Sequence, residues 1–152
     1  MSLQIWLPLN KDIHNQGLMN ISFTNNNAVI NNNGKIGKCY YFDISENSMI
    51  KNNNDIPTNN WSQGSLCCWV KLNTFPNNST SPKWAPALSL GTSGLYANSI
   101  FSLTFEYSNY INISIHGSTT GKNAYKHNLT TNTWYHICTT YDGSIVKLYI
   151  NG

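Results

Sequence analysis

Short apolar–polar alternations are what most restrict the fold of this chain. In "SLCCWVKLN", Leu66, Cys68, Val70 and Leu72 fall on one side. In "NYINISIHG", Ile111, Ile113 and Ile115 alternate with Asn and Ser, and in "SIFSLTFEY", Phe101, Leu103 and Phe105 alternate with Ile100, Ser102, Thr104 and Glu106. Successive side chains of a strand point to opposite faces, so a period of two reads as extended chain. Leu3, Ile5, Leu7 and Leu9 predict a first strand in the same way. "NISFT", "AVI" and the aromatic-rich "KCYYFDI" read as further strand pieces. "TWYHICTTY" and "SIVKLYI" close the series, joined by Asp142-Gly143-Ser144. No stretch repeats its apolar residues at the i, i+3, i+4, i+7 spacing of an amphipathic helix. Many short strands with turn signals between them predict an all-β sandwich or barrel.

The material between the strands is rich in asparagine, of which the chain has 25, with triplets at Asn25–Asn27, Asn31–Asn33 and Asn52–Asn54. Asn tolerates left-handed backbone and hydrogen-bonds its own main chain, so these runs read as loops. The longest are the region from Asn47 to Asn60 and the stretch "NTFPNNSTSPKWAP". Long loops often carry function. Abundant Asn, Lys, Ile and Tyr with no Arg also fits an AT-rich coding sequence. Residues 1–152 are read as one domain, because length and a hydrophobic content of 40% suffice for a single core.

Several classes of function are disfavoured at once. The net charge of +3 comes from nine scattered lysines, with no arginine to supply a planar fork for phosphate or guanine, so nucleic acid is not an expected partner. No segment approaches the roughly 20 apolar residues of a membrane-spanning helix. The opening MSLQIWLPLN lacks the basic and apolar regions of a secretory leader. Cys67 and Cys68 are adjacent on a strand and point to opposite faces, so they do not readily bond each other. Cys39 and Cys138 lie in similar patterns without metal-ligand spacing. Buried free thiols are the expected state of all four. No G-x-S-x-G elbow and no glycine-rich phosphate loop before a helix is present.

The residues also carry a family resemblance. "LTTNTWYHICTTYDGSIVKLYING" resembles the W-x-H-h-A-x-T-Y-D-G…h-x-L-Y-h-N-G pattern of laminin-G-like, concanavalin A-like jelly-roll domains. Trp134, His136, Thr140, Tyr141, Asp142, Gly143, Leu148, Tyr149, Asn151 and Gly152 match it. Upstream, "GKIGKCYYFD" with Gly34, Gly37, Phe42 and Asp43, "GSLCCWVKLN" with Trp69 and Lys71, and the opening "WLPLN" follow in the family's order. The resemblance implies an antiparallel β-sandwich of jelly-roll type. It also implies further strands beyond Asn151-Gly152, supplied by more chain or by a strand-completing or oligomeric partner. Cys39, Cys68 and Cys138 occupy positions where the family usually carries Ala. Trp69, Trp134 and His136 are expected to serve the fold.

Glycosidases on the related jelly roll align carboxylates on one strand. Here only Asp43 and Glu46 are close in sequence, and they alternate poorly; hydrolysis needs two carboxyl groups about 5–9.5 Å apart. The expectation is a non-enzymatic binding module with no cofactor. Calcium is possible by family resemblance, but the acids are too sparse to nominate a site. For sugar faces the candidate ligand residues are Trp84, Trp61, Tyr96, Tyr107 and Tyr110. A fold usually found outside cells, without a leader and with free-looking thiols, fits a bacteriophage virion protein: a fibre, baseplate or capsid decoration that binds glycans or a neighbouring virion protein. The alternative is an adhesion or carbohydrate-binding module of a bacterial cell-surface protein.

Overall fold

The computed structural model of the protein describes residues 5–43, 45–52, 63–76, 84–91, 99–107, 109–115, 122–126 and 128–152. Among these residues the regular structure is entirely antiparallel β, and no helix is long and apolar enough to cross a membrane. The chain divides into two compact units, Met1–Asp55 and Ile56–Gly152.

The first unit consists of two short ladders. β1 (Phe23–Asn26) pairs with β4 (Met49–Asn52), and β2 (Val29–Asn31) pairs with β3 (Cys39–Tyr41). Asparagine side chains act here as replacement backbone. Asn25 accepts from Ala28 N–H at 2.9 Å and donates to its carbonyl at 2.8 Å, while Asn27 adopts φ 57° and donates to the Glu46 carbonyl. Gly34 donates to the Gly37 carbonyl, and a Cβ at Gly34 would lie 2.6 Å from the Lys38 carbonyl oxygen, so only glycine fits this close approach.

Two expectations change in this unit. The predicted first strand is absent over its described residues, 5–9. Leu9 turns left-handed at φ 54° and Pro8 has no N–H to give a ladder. Trp6 instead donates its N–H to Asn15 Oδ1 and accepts from Gln16 N–H. The supposed long loop from Asn47 contains β4, because Met49–Asn52 finds a partner in β1; residues 53–60 lie outside the described residues.

The second unit is a β-sandwich. β5 (Gly64–Lys71), β10 (Trp134–Tyr141) and β11 (Val146–Ile150) form a three-stranded sheet in the order β11-β10-β5. β6 (Trp84–Gly91), β7 (Ser99–Glu106), β8 (Tyr110–Ile115) and β9 (Lys122–Lys126) form a four-stranded meander. β5 pairs with β10 across the whole intervening meander, from Trp134 opposite Lys71 to Tyr141 opposite Gly64. Pro86 is tolerated because β6 is an outer strand of the described sheet, with a register irregularity directly after it.

The core lies between these sheets. Leu103, Phe105, Ile111 and Ile113 of the meander and Ile137 of β10 are each at most 2% exposed. Burial stabilises by about 1.5–3 kcal/mol per such side chain. Phe105 meets Val70, Leu72 and Tyr135, with Phe75 and Leu129 closing the gap so tightly that no water fits. The Asp-Gly turn is built as its sequence suggests. Asp142 Oδ1 accepts from Ser144 and Ile145 N–H at 2.9 and 2.8 Å, and Gly143 takes φ 97°. Those two amides hold the Asp142 carboxyl below its ordinary pKa. Asn151 and Gly152 both have positive φ, as an Asn-Gly turn requires.

Candidate functional site: the outer face of the three-stranded sheet

Because Leu66, Cys68 and Val70 turn inward, alternation turns Ser65, Cys67, Trp69 and Lys71 outward. Register then adds Trp134, His136, Cys138 and Thr140 from β10 and Lys147 and Tyr149 from β11 to the same face. Trp69 and His136 are directly opposed, their ring centroids 5.1 Å apart and tilted by 47°. Lys71 Nζ lies 5.4 Å from the centroid of the opposing Trp134 ring, within cation–π range. Tyr149 stands on the next strand, opposite Cys138. Trp69 is 43% and Tyr149 41% exposed, so a Trp–His pair and a Tyr present ring surface to solvent from one rigid sheet. Asn151 fixes the end of the face: its Oδ1 accepts from His136 N–H at 3.0 Å and its N–H donates to the His136 carbonyl at 2.9 Å.

This arrangement alters how the sequence motifs are read. Trp69, expected to serve the fold, faces outward and is half exposed, and among the described residues β5 has β10 as its one neighbour. Cys67 was expected to be buried and is exposed; all four cysteines are free thiols. The signal for Trp69 was already present in the sequence. If Leu66, Cys68, Val70 and Leu72 form the inner row, Trp69 and Lys71 belong to the outer one.

The predicted ligand residues are distributed elsewhere. Trp61 and Tyr96 lie outside the described residues. Trp84, expected in an Asn-rich loop, is instead the first residue of β6, since "WAPALSLG" pairs along β7. Register sets Trp84 and Tyr110 on either side of Glu106, in one row across three strands. Tyr107, 42% exposed, follows directly in the turn after β7. Glu106 Oε1 accepts from Asn112 Nδ2 at 2.9 Å, and Ser114 Oγ donates to Asn112 Oδ1 at 3.3 Å. The structure thus brings three of the five nominated residues to one end of the meander.

Three further acids, Asp43, Asp142 and Asp12, are engaged in local structure. Asp43 accepts from Ser45 N–H and Oγ at 2.9 and 2.7 Å, which holds its carboxyl below the usual range, and its own N–H donates to Ser48 Oγ. Asp142 closes its turn, and Asp12 sits beside Lys11 and His14. Among the described residues no group of three or more His, Cys, Asp or Glu could hold a metal ion.

Residues 44–152 match the family described as the concanavalin A-like lectin/glucanases superfamily. No curated protein and no solved structure matches the chain.

Proposed function

The chain belongs to the concanavalin A-like lectin/glucanases superfamily, and from that premise we propose that it is a non-catalytic carbohydrate-binding module whose sugar platform is the outer face of the three-stranded sheet. The observation that carries this reading is the exposure of Trp69 and Tyr149 on one sheet face, with His136 stacked beside Trp69. The C–H faces of a pyranose pack on such rings, while its hydroxyls require polar neighbours. Lys71 and Lys147 supply cationic donors on the same face. The strands hold these rings at fixed spacing, so little side-chain entropy is lost on binding.

A glycan array followed by titration calorimetry tests the proposal. Trp69→Ala and Tyr149→Ala are each expected to weaken the best hit at least about tenfold, roughly 1.4 kcal/mol, with the fold retained. A blank array overturns it, as does binding that survives both substitutions. The row Trp84–Glu106–Tyr110 is a second possible platform, favoured by its register across three strands. If Trp84→Ala abolishes binding while Trp69→Ala leaves it intact, the platform lies on that row.

The setting we propose is a bacteriophage particle, with the module a fibre, baseplate or capsid decoration that contacts host-surface glycans or a neighbouring virion protein. The alternative is a module of a bacterial cell-surface protein. Four unbridged thiols support the first, since such a particle assembles in a reducing cytoplasm. Antibody labelling of purified particles against cell envelopes distinguishes the two.

A further inference from the structure

Two thiols stand face to face within the aromatic surface, and the glycan-binding reading makes no use of them. Cys67 and Cys138 are register partners on β5 and β10, and both side chains belong to the outward row of the sheet. The ladder shows which kind of pair they form. Asn151 donates its N–H to the His136 carbonyl, so the main chain of His136 points towards β11. Polar groups alternate sides along a strand, and Cys138, two residues on, points the same way. Towards β5, Cys138 and Cys67 are therefore a non-hydrogen-bonded pair, the type in which opposed Cα atoms approach to about 4.5 Å and side chains are closest. A disulfide accepts Cα separations of about 4.4–6.8 Å, so this pair can be bridged without moving either strand. Cys68 points to the inner face, and Cys39 belongs to the N-terminal unit.

We propose that Cys67 and Cys138 form a dithiol site that low-molecular-weight disulfides oxidise to a cross-strand bridge. In the first step the Cys67 thiolate attacks one sulfur of the small disulfide, forming a mixed disulfide and expelling one small thiolate. Next the Cys138 thiolate attacks the Cys67 sulfur, closing the protein disulfide and expelling the second. Two thiols lose two protons and two electrons, and the small disulfide is reduced to two thiols. Cys67 is the entry point because it is exposed, whereas Cys138 is half-buried.

The site is tuned to react slowly. Partial burial of its sulfur, with the neighbouring Cys138 and Cys68 sulfurs adding to it, pushes the Cys67 thiol up to about 12. The titratable groups sharing the face are His136 and Lys71 on the two strands and Lys147 and Tyr149 on β11. Only the thiolate reacts, so oxidation accelerates as pH rises. The resulting loop encloses β6 to β9, so the bridge would tie the three-stranded sheet shut across the entire meander. This holds whether or not the face binds sugar.

The test is incubation of the intact protein with glutathione disulfide at pH 7 and pH 9, followed by mass spectrometry and peptide mapping. The expected product has lost two hydrogen masses, maps to Cys67–Cys138, forms faster at pH 9 and melts at a higher temperature. Titratable thiols after unfolding should fall from four to two. Cys138→Ser should stop at a mixed disulfide on Cys67. The proposal is overturned by four thiols persisting at pH 9, by a mixed disulfide on Cys67 that persists in the unaltered protein, or by a bridge to Cys39 or Cys68.

Discussion

β5 and β7 are both eight residues long and both alternate in sequence, yet they end up in different surroundings. In β7 every residue from Phe101 to Phe105 is at most 5% exposed, so even its polar row, Ser102 and Thr104, is buried. In β5 half-buried and exposed positions alternate, and the exposed ones include Cys67 and Trp69. β7 has a neighbour on each edge, whereas β5 has β10 alone among the described residues. Alternation thus tells which residues share a face but not whether that face is covered. A large ring on the uncovered face contributes less to stability than its size suggests, and is correspondingly available for contact with a ligand.

The largest expected effect breaks this comparison in the core. Phe105→Ala removes a ring that is 2% exposed and packs against Val70, Leu72 and Tyr135, which should cost about 3–5 kcal/mol. Trp69→Ala on the outer face should cost about 1 kcal/mol or less, despite deleting a larger side chain. Urea denaturation with unchanged m-values measures both. Equal losses would mean that Trp69 is core and that the outer face is no platform.

A smaller effect, of opposite sign, sharpens the comparison. Among the described residues, each sheet holds one buried hydroxyl without a hydrogen-bond partner, Ser102 Oγ on β7 and Thr139 Oγ1 on β10. Thr139 is fully buried, in the inward row with Ile137. Thr139→Val keeps the branched shape and removes the unsatisfied group, so it should stabilise the protein by about 1 kcal/mol. A loss of stability instead would show that the hydroxyl has a partner and that β10 packs less dryly than its burial indicates.

Much of this was legible in the sequence. The alternation predicted β5, β7, β8, β10 and β11, and Asp142-Gly143-Ser144 marked the connection between the last two, because both signals are local. What was not legible depended on partners distant in the chain. "WAPALSLG" contains a proline and reads as loop until β7 supplies a ladder for it, and "KNAYK" becomes β9 only beside β8. The apolar alternation near the N-terminus failed for the complementary reason: without a ladder, Asn15 took the main-chain bonds of Trp6. For the candidate site, the sequence supplied the aromatic residues but not their exposure. Trp69 and Tyr149 looked like fold markers because their motifs are fold motifs, and only register showed them sharing a face with His136.

The smallest effect tests whether the two sheets also differ in their response to acid. The β10–β11 connection rests on an ionised carboxylate: Asp142 accepts two amides, and its pKa is lowered by them. A carboxyl whose folded pKa lies below its unfolded value of about 4 stabilises the fold fully above that value. The contribution then disappears as pH falls through the depressed folded value. The β7–β8 turn instead holds a left-handed Asn109, whose carbonyl accepts from Leu129 N–H, and the carboxyl flanking it, Glu106, accepts from the Asn112 side chain. Acidification from pH 5 towards pH 2 should therefore reduce amide protection in β10 and β11 before it does so in β7 and β8, as read by hydrogen exchange. Asp142→Asn retains an oxygen that can accept both amides, so stability near pH 7 should change little while the acid-induced loss becomes shallower. Asp43, unaltered in the N-terminal unit, keeps its own acid dependence. If protection in β10 and β11 falls equally in the variant and the parent protein, the turn does not depend on the charge of Asp142.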